Sequence, residues 1–335
     1  MRFGCSFWLD RDPRQAARLA RAAEDAGFED VWFPDHYFLR EACTALALAA
    51  TATRRIRLGT GVTSPYLRHP VLLASAVATL DEVSDGRAIL GIGVGGHEFP
   101  TQLGVSLARP LAVCREAVEI IRGLLAGATV TVEGKIFSIR GARLHFTPSR
   151  RVPIYLAARG PQMLALAGEI ADGVITHGTH PSYLTLARDQ VAAGLGRGTR
   201  PADAVDLALM AEIVVSDDPA RERDAMRGRC VVIAGGEYAP ELVARYGLTP
   251  EDVEPVRRAM RAGDFAAASR AVNDRVVDAF CVLGSADRCR DTLRGTAKAG
   301  VGHVICWFGA GASEADIASA LTRLGREIVG PLASA

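Results

Sequence analysis

The chain has 335 residues, 49% hydrophobic and 23% charged, with 39 basic against 38 acidic side chains and a net charge of +1. Those proportions describe a globular protein with a large core, roughly three-quarters of the chain's surface being buried on folding. They exclude disorder, collagen and coiled coil, and the balanced charge gives no general pull toward nucleic acid or a membrane surface. Only Lys135 and Lys298 are lysine, the other basic residues being arginine, a bias that reads as genomic composition rather than function. No run of 18 apolar residues predicts a transmembrane helix. The opening Met-Arg-Phe-Gly-Cys enters a strand pattern directly, without the layout of a signal peptide. The seven cysteines (Cys5, Cys43, Cys114, Cys230, Cys281, Cys289, Cys306) are scattered and none forms a C-x-x-C pair. The expectation is a reduced, cytoplasmic protein without a metal, whose cysteines act as small apolar filler.

Short apolar runs then alternate with amphipathic stretches. Residues 2–9 read as a strand; 12–26 as a helix capped by Asp12-Pro13 and stopped at Gly27; 29–34 as a strand; 41–52 as a helix; 55–62 as a strand; 70–83 as a helix; and 87–93 as a strand. A helix over 109–126 ends at Gly127. Residues 129–146 change to a period of two around Glu133-Gly134, which predicts an inserted β-hairpin. The alternation resumes with strand 153–158, helix 161–171, strand 173–177, helix 182–193 and a longer strand, 206–216. Residues 217–280 are mostly helical with Gly and Pro breaks. A helix at 285–298, a strand at 303–308 and a helix at 313–327 close the chain. Eight strands each followed by helix predict an α/β fold, a (β/α)8 TIM barrel forming one domain over 1–335, with the hairpin near 129–146 and the helical segment 217–280 as insertions. A doubly wound open sheet is the alternative.

In such a barrel the chemistry sits at the C-terminal ends of the strands. Trp8 ends the first strand, Asp35-His36 follow the second, Gly61–Pro65 and His69 the third, and Gly95, Gly96, His97 and Glu98 the fourth. Ala158-Arg159-Gly160 follow the fifth, Thr176-His177-Gly178 and His180 the sixth, and Trp307 ends the eighth. Five of the seven histidines fall on this rim, which points to a polar ligand site, although a single loop histidine is commonly a surface residue. A metal is not expected: metal sites need converging ligands with carboxylate or cysteine partners, and here His177 and His180 share one loop while Asp35-His36 lie on another. The GIGVGG run, 91–96, satisfies G-x-G-x-x-G, but no helix opens directly after it. Its glycines read either as backbone approaching a flat ligand or as a tight turn. Two glycines in the strand Gly59-Thr60-Gly61-Val62-Thr63-Ser64-Pro65 mark a bulge or a close ligand. At Ala158-Arg159-Gly160-Pro161 the proline suits a first helical position. The free N–H groups of that turn, with Arg159, suit a phosphate; the plain alternative is an ordinary helix start beside a solvated arginine.

The stretch LGTGVTSPYLRHPVLLASAVATLDEVSDGRAILGIGVGG (58–96), with GFEDVWFPDH (27–36) and PIYLAARGPQMLALAGEIADGVITHG (153–178), resembles the bacterial luciferase-like superfamily. The likeness is greatest to the branch of methylenetetrahydromethanopterin reductase and related oxidoreductases that use a 5-deazaflavin, coenzyme F420. It runs in order from about residue 2 to 178, and the C-terminal part fits through its final βα unit. The resemblance implies a barrel with the tricyclic ring at the strand ends and a non-prolyl cis peptide at Gly61–Val62 behind the ring. By the same likeness Asp35 and His36 lie near the ring's polar edge, and Gly61, Val62, Thr63, Gly95 and Gly96 line the site. Ala158, Arg159 and Gly160 form the phosphate loop, and Thr176 and His177 the next strand end. There are departures. Relatives that oxidise sugar phosphates carry a glutamate where Gly96 stands, and the nearest acid here is Glu98. The methylenetetrahydromethanopterin reductases have an acid near the end of the first strand, where this chain reads Cys5-Ser6.

The resulting expectation is an enzyme that moves a hydride between coenzyme F420 and a small organic substrate. The cofactor does the electronic work and the protein orients it. His36 is the first candidate for general acid or base, since imidazole titrates near neutral pH, and Glu98 is the second. One alternative is an FMN-dependent monooxygenase using oxygen and a partner reductase; another, of a different class, is a flavin- or deazaflavin-binding protein without turnover. A homodimer or higher homo-oligomer is expected from the resemblance alone. The segment 217–280 is expected to cover the site, as long insertions after barrel strands do.

Overall fold

The structure is a computed structural model, described over residues 1–36, 38–95, 103–197, 200–201, 203–236 and 240–333. Eight parallel strands close on themselves: β1 (Arg2–Phe7), β2 (Asp30–Phe33), β3 (Arg57–Thr60), β4 (Ala88–Ile92), β7 (Ile154–Ala157), β8 (Gly173–Thr176), β9 (Asp206–Val215) and β11 (His303–Phe308), with β11 returning to pair with β1. This is the expected TIM barrel. Its wall helices are α1 (Pro13–Asp25), α2 (Ala42–Ala52), α3 (Pro70–Val83), α4 (Pro110–Leu125), α5 (Pro161–Ile170), α6 (Pro181–Leu195), α12 (Ala286–Lys298) and α13 (Glu314–Leu324). Local chemistry sets their starts. Asp12 and Gln15 form a capping box on α1 with Pro13 in its first turn, a cap of about 1 kcal/mol. Pro70, Pro110, Pro161 and Pro181 likewise open helices, where a missing N–H costs nothing.

The predicted hairpin is shorter than its alternating stretch. β5 (Val130–Glu133) pairs antiparallel with β6 (Ser138–Ala142), and residues 143–146 leave the ladder. The Glu116 carboxylate on α4 accepts the N–H groups of Lys135, Ile136 and Phe137 at 2.9–3.0 Å and fastens the hairpin turn to the barrel wall.

The insertion after β9 holds α7 (Pro219–Ala234), α8 (Pro240–Arg245), α9 (Pro250–Arg261), α10 (Phe265–Ala271) and α11 (Asp274–Phe280). It then enters a strand absent from the sequence reading, β10 (Cys281–Gly284), which pairs parallel with the upper half of β9. A four-residue apolar run that continues a helix has no periodicity of its own to mark it. Among the described residues no helix is long and apolar enough to cross a membrane.

Strand alternation sorts the barrel interior into layers. At the foot, Asp30, His303 and Asp206 face one another. Above them Trp32, Ile89, Tyr155, Ile175, Ala208, Met210 and Ile305 form an apolar plug, with Val62 and Trp307 resting on it. The much larger core lies between the strands and the helices. The plug is the floor of whatever binds at the mouth.

Candidate functional site

The third strand delivers the first part of the site. Residues Gly61–Val62 are joined by the expected cis peptide. Beyond it the chain re-enters the sheet: the Thr63 N–H donates to the Gly91 carbonyl and the Gly93 N–H to the Thr63 carbonyl, each at 2.9 Å. The bulge sends Val62 inward over the plug. It also explains the glycines. A Cβ on Gly59 or Gly61 would lie 2.7 or 2.8 Å from Trp32, one on Gly91 would lie 2.0 Å from the Thr60 carbonyl oxygen, and one on Gly93 would lie 2.8 Å from Val62. The glycines of 59–65 and 91–93 therefore serve strand-to-strand and strand-to-Trp32 packing, a third reading beside the ligand approach and the tight turn. Gly95, exposed with φ +88°, is where a glycine conformation is needed. Gly96, His97 and Glu98 lie outside the described residues.

Asp35 and Thr63 come together at the mouth. The Thr63 hydroxyl donates to Asp35 Oδ2 at 2.6 Å, and Arg68 makes a two-point contact with the same carboxylate at 2.7 and 3.1 Å while also reaching Glu41 at 2.9 Å. Glu41 in turn caps α2. The Asp35 carboxylate is thus oriented by Thr63 and Arg68 and linked through Glu41 to the start of α2. Arg68 and Glu41 were not singled out from sequence; Arg68 sits in the loop after β3, one residue before the rim histidine His69.

Four rings line one side of the mouth in sequence. His36 packs on Trp8 with centroids 4.9 Å apart, Trp8 faces Trp307 at 6.5 Å, and Trp307 faces His177 at 6.3 Å. Trp8 and Trp307 were placed at strand ends by sequence but not recognised as site walls. Trp307's inward parity with His303 and Ile305 on β11 is the signal that finds it. The arc joins His36 and His177 from opposite ends. His36 is half-buried, and desolvation lowers its pKa below the ordinary imidazole value. At His177, desolvation first and the neighbouring Arg159 guanidinium second bring the pKa down to about 3, so the ring is neutral. It hydrogen-bonds toward the Met210 backbone, and its Nδ1 is withdrawn from solvent with no hydrogen-bond partner. The other two rim histidines among the described residues are structural: His69 Nδ1 accepts from the Val71 N–H at the start of α3, and His180 Nδ1 accepts from the Ser182 N–H at the start of α6, each at 3.3 Å.

The fifth and sixth strand ends complete the mouth. Gly160 starts α5 with extended backbone and no side chain capping the first turn. A Cβ built there would meet nothing within 4 Å. The helix N-terminus therefore opens on free space beside Arg159, a cradle for an anionic group. Ala158 contributes backbone only, since its methyl joins the core between strands and helices. Thr176 is fully buried and its hydroxyl is hydrogen-bonded to the Tyr183 hydroxyl, so it shapes the strand end rather than facing the mouth. Among the described residues no group of three His, Cys, Asp or Glu side chains converges to hold a metal.

The arrangement suits a flat ring with an anionic tail. The Val62 bulge and the apolar plug offer a face for the ring. The neutral His177 ring, packed on Trp307, closes one side, and the open first turn of α5 offers N–H donors for the tail. Ser6 stands in register with Trp32 on one side and Trp307 on the other, 1% exposed, so this corner of the floor has no carboxylate.

Known proteins share this plan. The family model described as luciferase-like monooxygenase matches residues 2–303. A 5,10-methylenetetrahydromethanopterin reductase of Archaeoglobus fulgidus is 37% identical over 333 residues, covering 98% of this chain and 99% of the relative. One from Methanolobus tindarius is 36% identical over 332 residues, covering 98% and 100%. The solved structure of the coenzyme F420-dependent tetrahydromethanopterin reductase from Methanopyrus kandleri superposes with a TM-score of 0.89 at 31% identity, covering 98% of this chain and 99% of that one.

Proposed function

The chain belongs to the luciferase-like monooxygenase family, and on that premise we propose that it is a coenzyme F420-dependent oxidoreductase moving a hydride between the deazaflavin and a small organic substrate. The observation that carries this reading is the end-to-end likeness to the F420-dependent reductase of Methanopyrus kandleri, combined with a mouth whose donors fit a ring and an anionic tail. When bound, the deazaflavin supplies a ring carbon that takes or releases the two electrons of a hydride.

The protein's own residues do the rest. Arg159 and the first-turn N–H groups of α5 hold the phosphate. Val62 would support the ring from behind, and Asp35, its orientation fixed by Thr63 and Arg68, would present a carboxylate at the ring's edge. Trp8 and Trp307 exclude water from the transfer, which favours reaction over side chemistry. His36, neutral at pH 7 and adjoining Trp8, exchanges the proton that accompanies the hydride on the substrate. Residues 1–335 act as one catalytic domain. A homo-oligomer follows the same reading: the adjoining helices α2 and α3 expose Leu48, Leu72 and Val83, an apolar face for a second copy that light scattering would detect.

The deciding experiment titrates the cofactor-free protein with coenzyme F420 and with FMN, following fluorescence. Tight binding of F420 and weak binding of FMN supports hydride transfer. The reverse moves the protein to the oxygen-using monooxygenases, and binding of neither removes the mouth as a cofactor site.

A further inference from the structure

The inserted helices do not stand over the barrel mouth as a separate body; they grip the loop after β8 from two sides. The Thr179 N–H donates to the Ala279 carbonyl at 2.8 Å and its hydroxyl to the Asp278 carbonyl at 2.9 Å. Gly178, at φ +107°, leaves room for Tyr246, whose ring would lie 2.5 Å from a Cβ there. From this grip runs a column of rings. Phe280 packs on Tyr246 with centroids 5.0 Å apart, and Tyr246 packs on Tyr183 at 4.4 Å. Phe280 and Tyr246 belong to the insertion, while Tyr183 lies in the first turn of α6 and is fully buried.

The column ends at one hydroxyl. Tyr183 OH is hydrogen-bonded to Thr176 Oγ1 at the end of β8 and donates to the Arg159 backbone carbonyl at 3.3 Å. It therefore ties two neighbouring strand ends together, at the residue that immediately precedes the open first turn of α5. Rotating the Arg159 peptide would swing both the guanidinium and the Gly160 N–H. A buried hydroxyl hydrogen-bonded to both Thr176 and Arg159 resists that rotation.

We propose that Tyr183 is a positioning residue for the cofactor's phosphate end, and that the 240–280 insertion sets cofactor affinity through the Phe280–Tyr246–Tyr183 column. This rests on the reading of Arg159-Gly160 as the phosphate cradle. From sequence, the segment 217–280 is expected to cover the site. The structure gives it a second task, support from behind of a cradle on the neighbouring strand.

The test compares Tyr183→Phe, which keeps the ring and removes the hydroxyl, with Arg159→Ala. Two probes are titrated: coenzyme F420, and the deazaflavin riboside lacking the phosphodiester tail. Loss of one hydrogen bond weakens binding by about 3- to 10-fold. Tyr183→Phe is expected to show that loss for F420, none for the riboside, and a raised KM for F420 with kcat at saturating cofactor retained. Tyr246→Leu, which interrupts the column from the insertion's side, is expected to reproduce the F420-selective loss. An unchanged F420 affinity in Tyr183→Phe while Arg159→Ala weakens it would overturn the role of Tyr183 and leave the cradle standing. Equal weakening of both probes would overturn it as well, since that marks general loosening. If Arg159→Ala leaves F420 affinity intact, the cradle itself is wrong and the proposal falls with it. Full F420 affinity in a folded Tyr246→Leu protein would overturn the link to the insertion.

Discussion

His303 Nε2 and Asp30 Oδ1 lie 2.9 Å apart at the foot of the barrel, both side chains wholly without solvent exposure. The other ring nitrogen, Nδ1, faces Asp206 at 3.2 Å. A ring with a carboxylate at each nitrogen must donate from both, and so is an imidazolium. Burial opposes that charge, but Asp30 and Asp206 outweigh it and raise the His303 pKa to about 9. Asp30 is held well below the ordinary carboxylate range by His303, Arg57 and the Trp32 indole, which donates to it at 2.5 Å, despite its own burial.

The stability consequence follows from those directions. His303 is raised above its unfolded value, so its contribution is complete below about pH 6.5 and is lost as pH rises through about 9. Asp30 is lowered, so its contribution is complete above the ordinary aspartate range and is lost as pH falls below it. For His303 alone the linkage is worth roughly 3 kcal/mol. Urea unfolding should show stability declining between pH 7 and 10. A His303→Gln protein should lose the alkaline decline and be less stable at pH 6, since it leaves two buried carboxylates short of a cation. An alkaline decline of equal size in His303→Gln would assign it to other groups.

Arg159→Ala should weaken F420 binding by roughly 10- to 100-fold, the value of a charge-assisted contact. The cradle opens to free space at Gly160, where an added Cβ meets nothing within 4 Å. The weakening should also shrink as salt is raised, because a surface-facing phosphate contact is screened. Salt-independent affinity in the wild type would argue that the tail is held by other means.

Much of this was legible before the fold was known. Eight strand runs, the wall helices and the hairpin follow from period and punctuation, and the strand ends name the mouth. The glycines were harder. In a run such as Gly59–Gly61 or Gly91–Gly93, sequence shows that something approaches closely but not what. Here it is Trp32 and Thr60 on the neighbouring strands and Val62 in the bulge, all residues of the same barrel. The rim histidines divide for a similar reason. His69 and His180 each stand immediately before a proline that opens a helix, the N-cap position, a local signal that outweighs their place on the rim. Tyr183 gave no signal at all, because its role depends on rings brought from residues 246 and 280.

Two glycine substitutions separate packing from ligand approach. In Gly91→Ala the new Cβ would lie 2.0 Å from the Thr60 backbone oxygen, which cannot move without breaking the ladder. That variant should lose several kcal/mol or fail to fold. Gly160→Ala meets nothing within 4 Å and should keep its stability within about 0.5 kcal/mol while losing affinity for F420, since the methyl enters the cradle. Thermal unfolding in parallel with cofactor titration reads both. A folded Gly91→Ala barrel of wild-type stability would contradict the bulge geometry.

His36 is the residue on which the proton step turns. Its pKa is lowered by desolvation, so the ring is neutral at pH 7 and becomes cationic only below the ordinary imidazole value. In the direction that takes a proton from substrate, kcat/KM should fall on the acid side below pH 6.5, and that limb should be missing in His36→Ala. The variant should bind F420 with an affinity near the wild type's, because Arg159 and the α5 N-terminus are untouched, and lose about 100- to 10,000-fold in kcat. A pH profile and a single-turnover rate with bound cofactor distinguish this from a binding defect. Full turnover in His36→Ala would remove it from the proton step and turn attention to Glu98, two residues beyond the GIGVGG run.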